Sequence, residues 1–225
     1  MPKRALAEKR PILLASLAAS LAFFALRQSP VVPEMFLIPL KGAAVGLLAL
    51  YAAWRGTGRD AVLLALAFVL AALGDIGMEI DRGAGAILFV GYHAVMIALY
   101  LRHPREALAP SQKALAVAML VLTPLLFWLL PAERSEALPT AIYGLVLGAM
   151  AACAWTSAFS RYRVGIGAVL FLVSDVLIVA GGGPLMGDNW PQWLIWPLYY
   201  LGQLLICLGI VQRLGRPGLA PSRPV

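Results

Sequence analysis

The sequence predicts an all-α membrane bundle of eight transmembrane helices. Three observations carry that expectation. Apolar runs long enough to cross a bilayer recur from end to end, only 13% of the 225 residues are charged while 61% are hydrophobic, and the basic residues fall on alternate loops. A soluble domain is about one quarter charged, so this chain has too few charges to coat a surface facing water. Lipid is the fitting solvent, and each crossing of its hydrocarbon core takes about 20 apolar residues. The runs are continuous rather than alternating, which argues against strands.

Pro, Gly and charged residues punctuate the spans. The first covers about 11–27, opening after Arg10. The second, 32–54, stops at Arg55-Gly56. The third, 60–80, leads into Asp81-Arg82, and the fourth, 83–101, into Arg102-His103-Pro104. The fifth, 112–130, meets Pro131. The sixth, 138–159, and the seventh, 162–181, flank Arg161. The eighth, 190–212, ends before Arg213. The connections are too short for a soluble domain, so residues 1–225 read as one transmembrane domain.

Lys and Arg divide unevenly between the two ends of these spans. Fourteen fall on one side: Lys3, Arg4, Lys9 and Arg10; Arg55 and Arg59; Arg102, Arg105 and Lys113; Arg161 and Arg163; Arg213, Arg216 and Arg223. Only Arg27, Arg82 and Arg134 fall on the other, and Lys41 lies inside a span. Cytoplasmic loops carry the basic excess, so both termini are expected in the cytoplasm. The net charge of +7 is thereby a matter of topology, and no nucleic-acid partner is expected. The N-terminal "MPKRALAEKRPILLASLAAS" has the form of a signal peptide, but the alternation works with this segment retained as a helix. Trp54, Trp128, Trp155, Trp190, Trp193 and Trp196 lie towards span ends, as an interfacial belt does. Cys153 and Cys207 fall in apolar runs and read as small buried hydrophobes.

The polar residues inside the spans define the candidate site. "VLAALGDIGM" around Asp75 falls on "VLFLVSDVLI" around Asp175, each in the third span of its half of the chain. This suggests two four-helix repeats related by an axis along the membrane normal, with Asp75 and Asp175 facing each other across a central cavity. At about 1.5 Å per residue, Asp175 lies roughly 18 Å from Arg163 and Asp75 roughly 24 Å from Arg59, while Lys41 is roughly 21 Å from Arg55 and His93 roughly 13 Å from Arg102. Their depths overlap. Gln203, with Tyr199 and Tyr200, adds a neutral polar patch from the last span.

A charge at the bilayer centre costs at least about 2.5 kcal/mol, so such residues face a bundle interior or a wet cavity. One reading is a structural ion pair in which Lys41 neutralises one Asp. The other is a site where two carboxylates act together. Neighbouring carboxylates in a dry interior do not both ionise cheaply; they hold one proton and titrate as a unit. That supplies one donor and one acceptor, the pairing acid–base hydrolysis uses. The pattern assigns these roles to the pair, not to either member. Glu79, one turn beyond Asp75 on the same face, reads as a solvated helix end or as lining a cavity mouth, and His103 as part of a basic interfacial loop. Ser174 has no evident histidine base. Zinc needs three or four ligands, so no metal is expected, and the Gly-rich "AGGGPLMGD" reads as a flexible outer loop.

"LGD" in the third span, "GYH" in the fourth, "GAVLFLVSD" in the seventh and "YYLGQLL" in the eighth, together with Lys41 in the second and Tyr143 in the sixth, resemble the YhhN family of lysoplasmalogenases over residues 35 to 212. Gly42 stands where many relatives carry Pro, and Met96 where a Tyr is common. The resemblance implies a membrane hydrolase that splits the vinyl ether of a lysoplasmalogen, a lysophospholipid, into a fatty aldehyde and a glycerophospho-alcohol. It implies Asp75 and Asp175 as catalytic residues, with Lys41, His93, Tyr143, Tyr199, Tyr200 and Gln203 binding or positioning the substrate. No metal or organic cofactor is implied, and the compartment expected is a bacterial inner membrane. A proton-coupled carrier built on the same carboxylates, or a scaffold whose acids are only structural, are the competing readings.

Overall fold

The computed structural model describes residues 10–214. Eight helices follow in order: α1 (Arg10–Leu26), α2 (Glu34–Arg55), α3 (Arg59–Ile80), α4 (Arg82–Leu101), α5 (Pro110–Leu129), α6 (Ala137–Thr156), α7 (Ile166–Gly181) and α8 (Pro191–Leu214). A 3-10 turn at Arg134–Glu136 feeds α6, and a π turn at Arg161–Gly165 feeds α7. The described residues form no named strand; an isolated bridge joins Pro104 to Ser157. Local chemistry sets the helix ends. Asp81 caps α4 by accepting from the Ala84 amide at 2.7 Å, and Pro110 opens α5 where a missing N–H costs nothing.

Seven of these segments are long and apolar enough to cross a membrane. The exception is α1, whose 17 residues reach about 26 Å at 1.5 Å per residue, slightly less than the hydrocarbon core. The outer surface is aliphatic: Leu21, Val62 and Ile87 are 59%, 67% and 72% exposed, which water would penalise and lipid does not. The protein is a multi-pass integral membrane protein.

Each helix packs on the next through a short connection, apart from α4 and α5. Helix α4 packs on α6, and α8 packs back on α2. The chain α2–α3–α4–α6–α7–α8 therefore closes into a ring. Helix α1 lies outside it against α2 and α8, and α5 outside it against α6 and α7. The packing repeats between halves: α1 on α2 as α5 on α6, α2 on α3 as α6 on α7, α3 on α4 as α7 on α8, α4 on α6 as α8 on α2. The correspondence is incomplete, because α5 touches α7 whereas α1 touches α8.

Glycines bring helices close where the ring needs it. A Cβ on Gly167 would stand 2.7 Å from the Gly202 carbonyl, and one on Gly202 would stand 2.6 Å from that of Gly167, so α7 and α8 meet backbone to backbone. A Cβ on Gly42 would stand 2.7 Å from the Ile76 side chain and 3.2 Å from the Ala72 carbonyl, so α2 also runs close to α3 beside Lys41.

The two ends of the bundle differ. Arg55, Arg59, Arg102, Arg105, Lys113, Arg161, Arg163 and Arg213 share one end. Lys3, Arg4, Lys9, Arg216, Arg223 and the side chain of Arg10 lie outside the described residues. At the basic end Asp60 accepts from Arg102 Nε at 2.7 Å and meets His103 Nε2 at 2.8 Å. His103 is thus a clamp between α3 and α4 rather than an interfacial residue. Arg105 donates to the carbonyls of Ser157 and Phe159 at 3.1 and 2.8 Å, tying down the α6–α7 link. At the opposite end the Gly-rich segment is docked rather than loose: Gly182 accepts from the Ala132 amide at 3.1 Å.

Candidate active site

Within the ring, at the end away from the basic loops, lies a cavity of about 560 Å³ to which all eight helices contribute. That volume suits a small organic ligand or part of a lipid. Its walls include Phe23 of α1, Phe89 of α4, Phe127 of α5, and Ile195 and Trp196 of α8. Lys41, Glu79, Arg82 and Glu136 also line it. Asp75 and Asp175 both line it too, although they are only 3% and 7% exposed. The structure therefore brings the two acids of the repeat to one cavity.

Each acid is held by one tyrosine. Tyr199 donates its hydroxyl to Asp75 Oδ2 at 2.7 Å, and Tyr143 donates to Asp175 Oδ2 at 2.6 Å. No hydrogen bond from the described residues reaches the Oδ1 atom of either acid. Behind Tyr199, Gln203 sits four residues on and so on the same face of α8. Its Nε2 donates weakly to Tyr199 at 3.4 Å, and its Oε1 accepts from Tyr92 at 2.8 Å. Behind Tyr143 lies His93, with Nε2 3.3 Å from the tyrosine hydroxyl. A phenol has one proton. With that proton directed at Asp175, His93 Nε2 donates to the phenol oxygen; its Nδ1 has no partner among the described residues.

An aromatic floor closes the cavity. Phe171 packs against Phe89, Tyr92, His93 and Tyr199 with ring centroids 6.0, 5.6, 5.1 and 5.1 Å away. Phe171, Tyr92 and His93 are fully buried, as are Phe68, Met96, Leu147 and Phe159 in the same core.

Three expectations need correction. Lys41 does not pair with either aspartate: its Nζ lies 2.6 Å from Glu79 Oε1. Four residues after Asp75 on α3, Glu79 is the nearer acid to a lysine on α2; it lines the cavity while staying 42% exposed. Tyr200 is outside the cavity lining. It follows Tyr199 by one position, about 100° around the helix, and its hydroxyl meets Ser16 of α1 at 2.7 Å. Trp196 is no interfacial belt residue; it is 4% exposed and donates to the Ser20 hydroxyl at 3.0 Å. Ser174 donates to the Ile195 carbonyl at 3.1 Å. Cys153 and Cys207 are free thiols, half-buried and buried.

Residues 36–210 match the model of the YhhN family. The chain belongs to the YhhN family. Comparison with curated proteins and with solved structures returns no match. The matched YhhN segment contains both aspartates, both hydroxyl donors and the Lys41–Glu79 pair. Phe23, Arg27 and Gln28, which also line the cavity, precede it. Two buried residues packed behind the candidate site were given no role by the sequence. Tyr92 stood inside the "GYH" string without a role of its own, and Phe171 gave no contrast within an apolar run.

Proposed function

We propose that this YhhN protein is a lysoplasmalogenase-like ether hydrolase, with Asp75 and Asp175 as its acid–base pair. The observation that supports this reading best is a pair of carboxylates, each held by one tyrosine hydroxyl and nearly buried where it meets a cavity of mixed apolar and polar lining. Such an environment disfavours two charges and favours a shared proton. A vinyl ether, R–CH=CH–O–R′, needs a proton at the carbon remote from oxygen. The protonated aspartic acid supplies it, giving an oxocarbenium ion that the other carboxylate steadies. That carboxylate then takes a proton from water as the water adds to the cation. The hemiacetal collapses to R–CH₂–CHO and HO–R′, and the proton balance of the pair is restored.

Tyr143 and Tyr199 fix the carboxylates by holding one oxygen of each and leaving the other for the reaction. His93 and Gln203 position those tyrosines. In this reading both termini lie in the cytoplasm, the single transmembrane domain lies in a bacterial inner membrane, and the cavity, at the end away from the basic loops, opens at the outer face. The test is aldehyde release from a lysoplasmalogen by the purified protein. Aldehyde release that Asp75→Asn and Asp175→Asn leave intact would sink the assignment, as would its absence from the wild type.

A further inference from the structure

Lys41 and Glu79 form an ion pair that faces the cavity without touching either aspartate. The ammonium is 15% exposed and the carboxylate 42%, and Lys41 Nζ also stands 5.9 Å from the Phe23 ring and 6.0 Å from that of Trp196. Beside the pair, α2 also packs on α3 where Gly42 lies against the Ile76 side chain. The pair has a defined height. Glu79 lies one helical turn beyond Asp75 on the same face of α3, about 6 Å nearer the opening. In a lysophospholipid, roughly five single bonds separate the ether oxygen from phosphorus, about 6 Å when extended. An ether bond held at Asp75 therefore brings the phosphate level with Lys41 and Glu79.

We propose that Lys41 and Glu79 read the headgroup by exchanging partners: Lys41 takes the phosphate, and Glu79 takes a cationic amine beyond it. This rests on the ether-hydrolase reading for the position of the substrate. Without substrate the two charges satisfy each other. A zwitterionic head offers an anion and a cation together, so both protein charges stay paired throughout. A head with a phosphate but no amine draws Lys41 away and leaves Glu79 partly buried, unpaired and beside another anion. Discrimination then comes from a repulsive element as well as an attractive one. Glu79 is the specificity-determining residue, and Lys41 binds phosphate of every kind.

Binding of saturated 1-O-alkyl lysophospholipids tests this, because these analogues lack the vinyl group and cannot be hydrolysed. The result stands whether or not the protein releases aldehyde. Trp196 beside Lys41 supplies a fluorescence signal, and two heads are compared: phosphoethanolamine and phosphoglycerol. The wild type is expected to prefer the amine head about tenfold. Glu79→Gln should bring the two affinities within about twofold, and Glu79→Lys should reverse their order. Lys41→Met should weaken both heads about tenfold. Glu34→Gln, at the start of α2 and outside the cavity lining, should leave the preference as it was. The proposal is overturned by a wild type indifferent to the head, by a Glu79→Gln protein that keeps the wild-type preference, or by equal weakening of both heads in Glu79→Gln with a lowered Tm, which marks Glu79 as merely structural.

Discussion

Tyr199 donates its hydroxyl to Asp75 across 124 positions of sequence. Tyr143 does the same for Asp175 across 32. The two donors both come from the second half of the chain, on α8 and α6, so the repeat that matches the acids does not match their partners. Removing either hydroxyl takes away one hydrogen bond to a nearly buried carboxylate. Tyr143→Phe and Tyr199→Phe are each expected to lower aldehyde release about ten- to a hundredfold, since one such bond contributes about 1.5–3 kcal/mol. Rates on a lysoplasmalogen under single-turnover conditions provide the check.

The acids themselves should matter more. A positioned acid or base contributes typically 10²–10⁴-fold, so Asp75→Asn and Asp175→Asn should each lose at least about a hundredfold in rate. Asn keeps the shape and removes a charge that costs energy to bury, so the Tm of both variants should hold or rise. A large drop in Tm with parallel loss of activity would instead mark the pair as structural.

A shared proton gives a characteristic pH profile. At low pH both carboxylates are protonated and the base is lost; at high pH both are ionised and the acid is lost. The rate should therefore pass through a bell-shaped maximum with both limbs belonging to the pair. A single-limbed profile would contradict two-carboxylate chemistry.

Tyr200 provides a contrast with its neighbour. Its hydroxyl meets Ser16, which also donates to the Ala44 carbonyl at 2.6 Å, and this ties α1 to the ring. Tyr200→Phe should cost about 1 kcal/mol of stability and leave the rate on a lysoplasmalogen unchanged. Thermal unfolding alongside the activity assay separates this from Tyr199→Phe.

Gly202 tests the contact that sets the α7–α8 spacing. Gly202→Ala would drive a methyl group into the Gly167 carbonyl, a misfit expected to cost about 1–3 kcal/mol. Because α8 carries Tyr199 and α7 carries Asp175, activity should fall together with Tm, measured on the detergent-purified protein.

Much of this was legible in the sequence because lipid is a strict solvent. It sets how long an apolar run must be, and it makes a carboxylate within such a run conspicuous; Asp75 and Asp175 stood out for that reason. Side-chain reach was less legible. Lys41 has Asp75 and Glu79 on one helix face within one turn of each other, and only the packing of α2 on α3 decides between them. Tyr199 and Tyr200 are adjacent in sequence but diverge by about 100°, and the phase of α8 decides which one meets the cavity. Trp196 is near a helix end, where a tryptophan suits the bilayer interface equally well. Phe171 and Tyr92 belong to an apolar background that offers no chemical contrast.

The rings packed around Phe171 have a bearing on the membrane as well as on the cavity. A hydrated hollow that holds titratable groups partway through a membrane invites protons to leak down the membrane potential, where each charge gains about 2.3 kcal/mol per 100 mV. Phe171, Tyr92 and His93 are fully buried and packed on one another, and a layer of this kind would keep a cavity that opens on one side from becoming a path across the membrane.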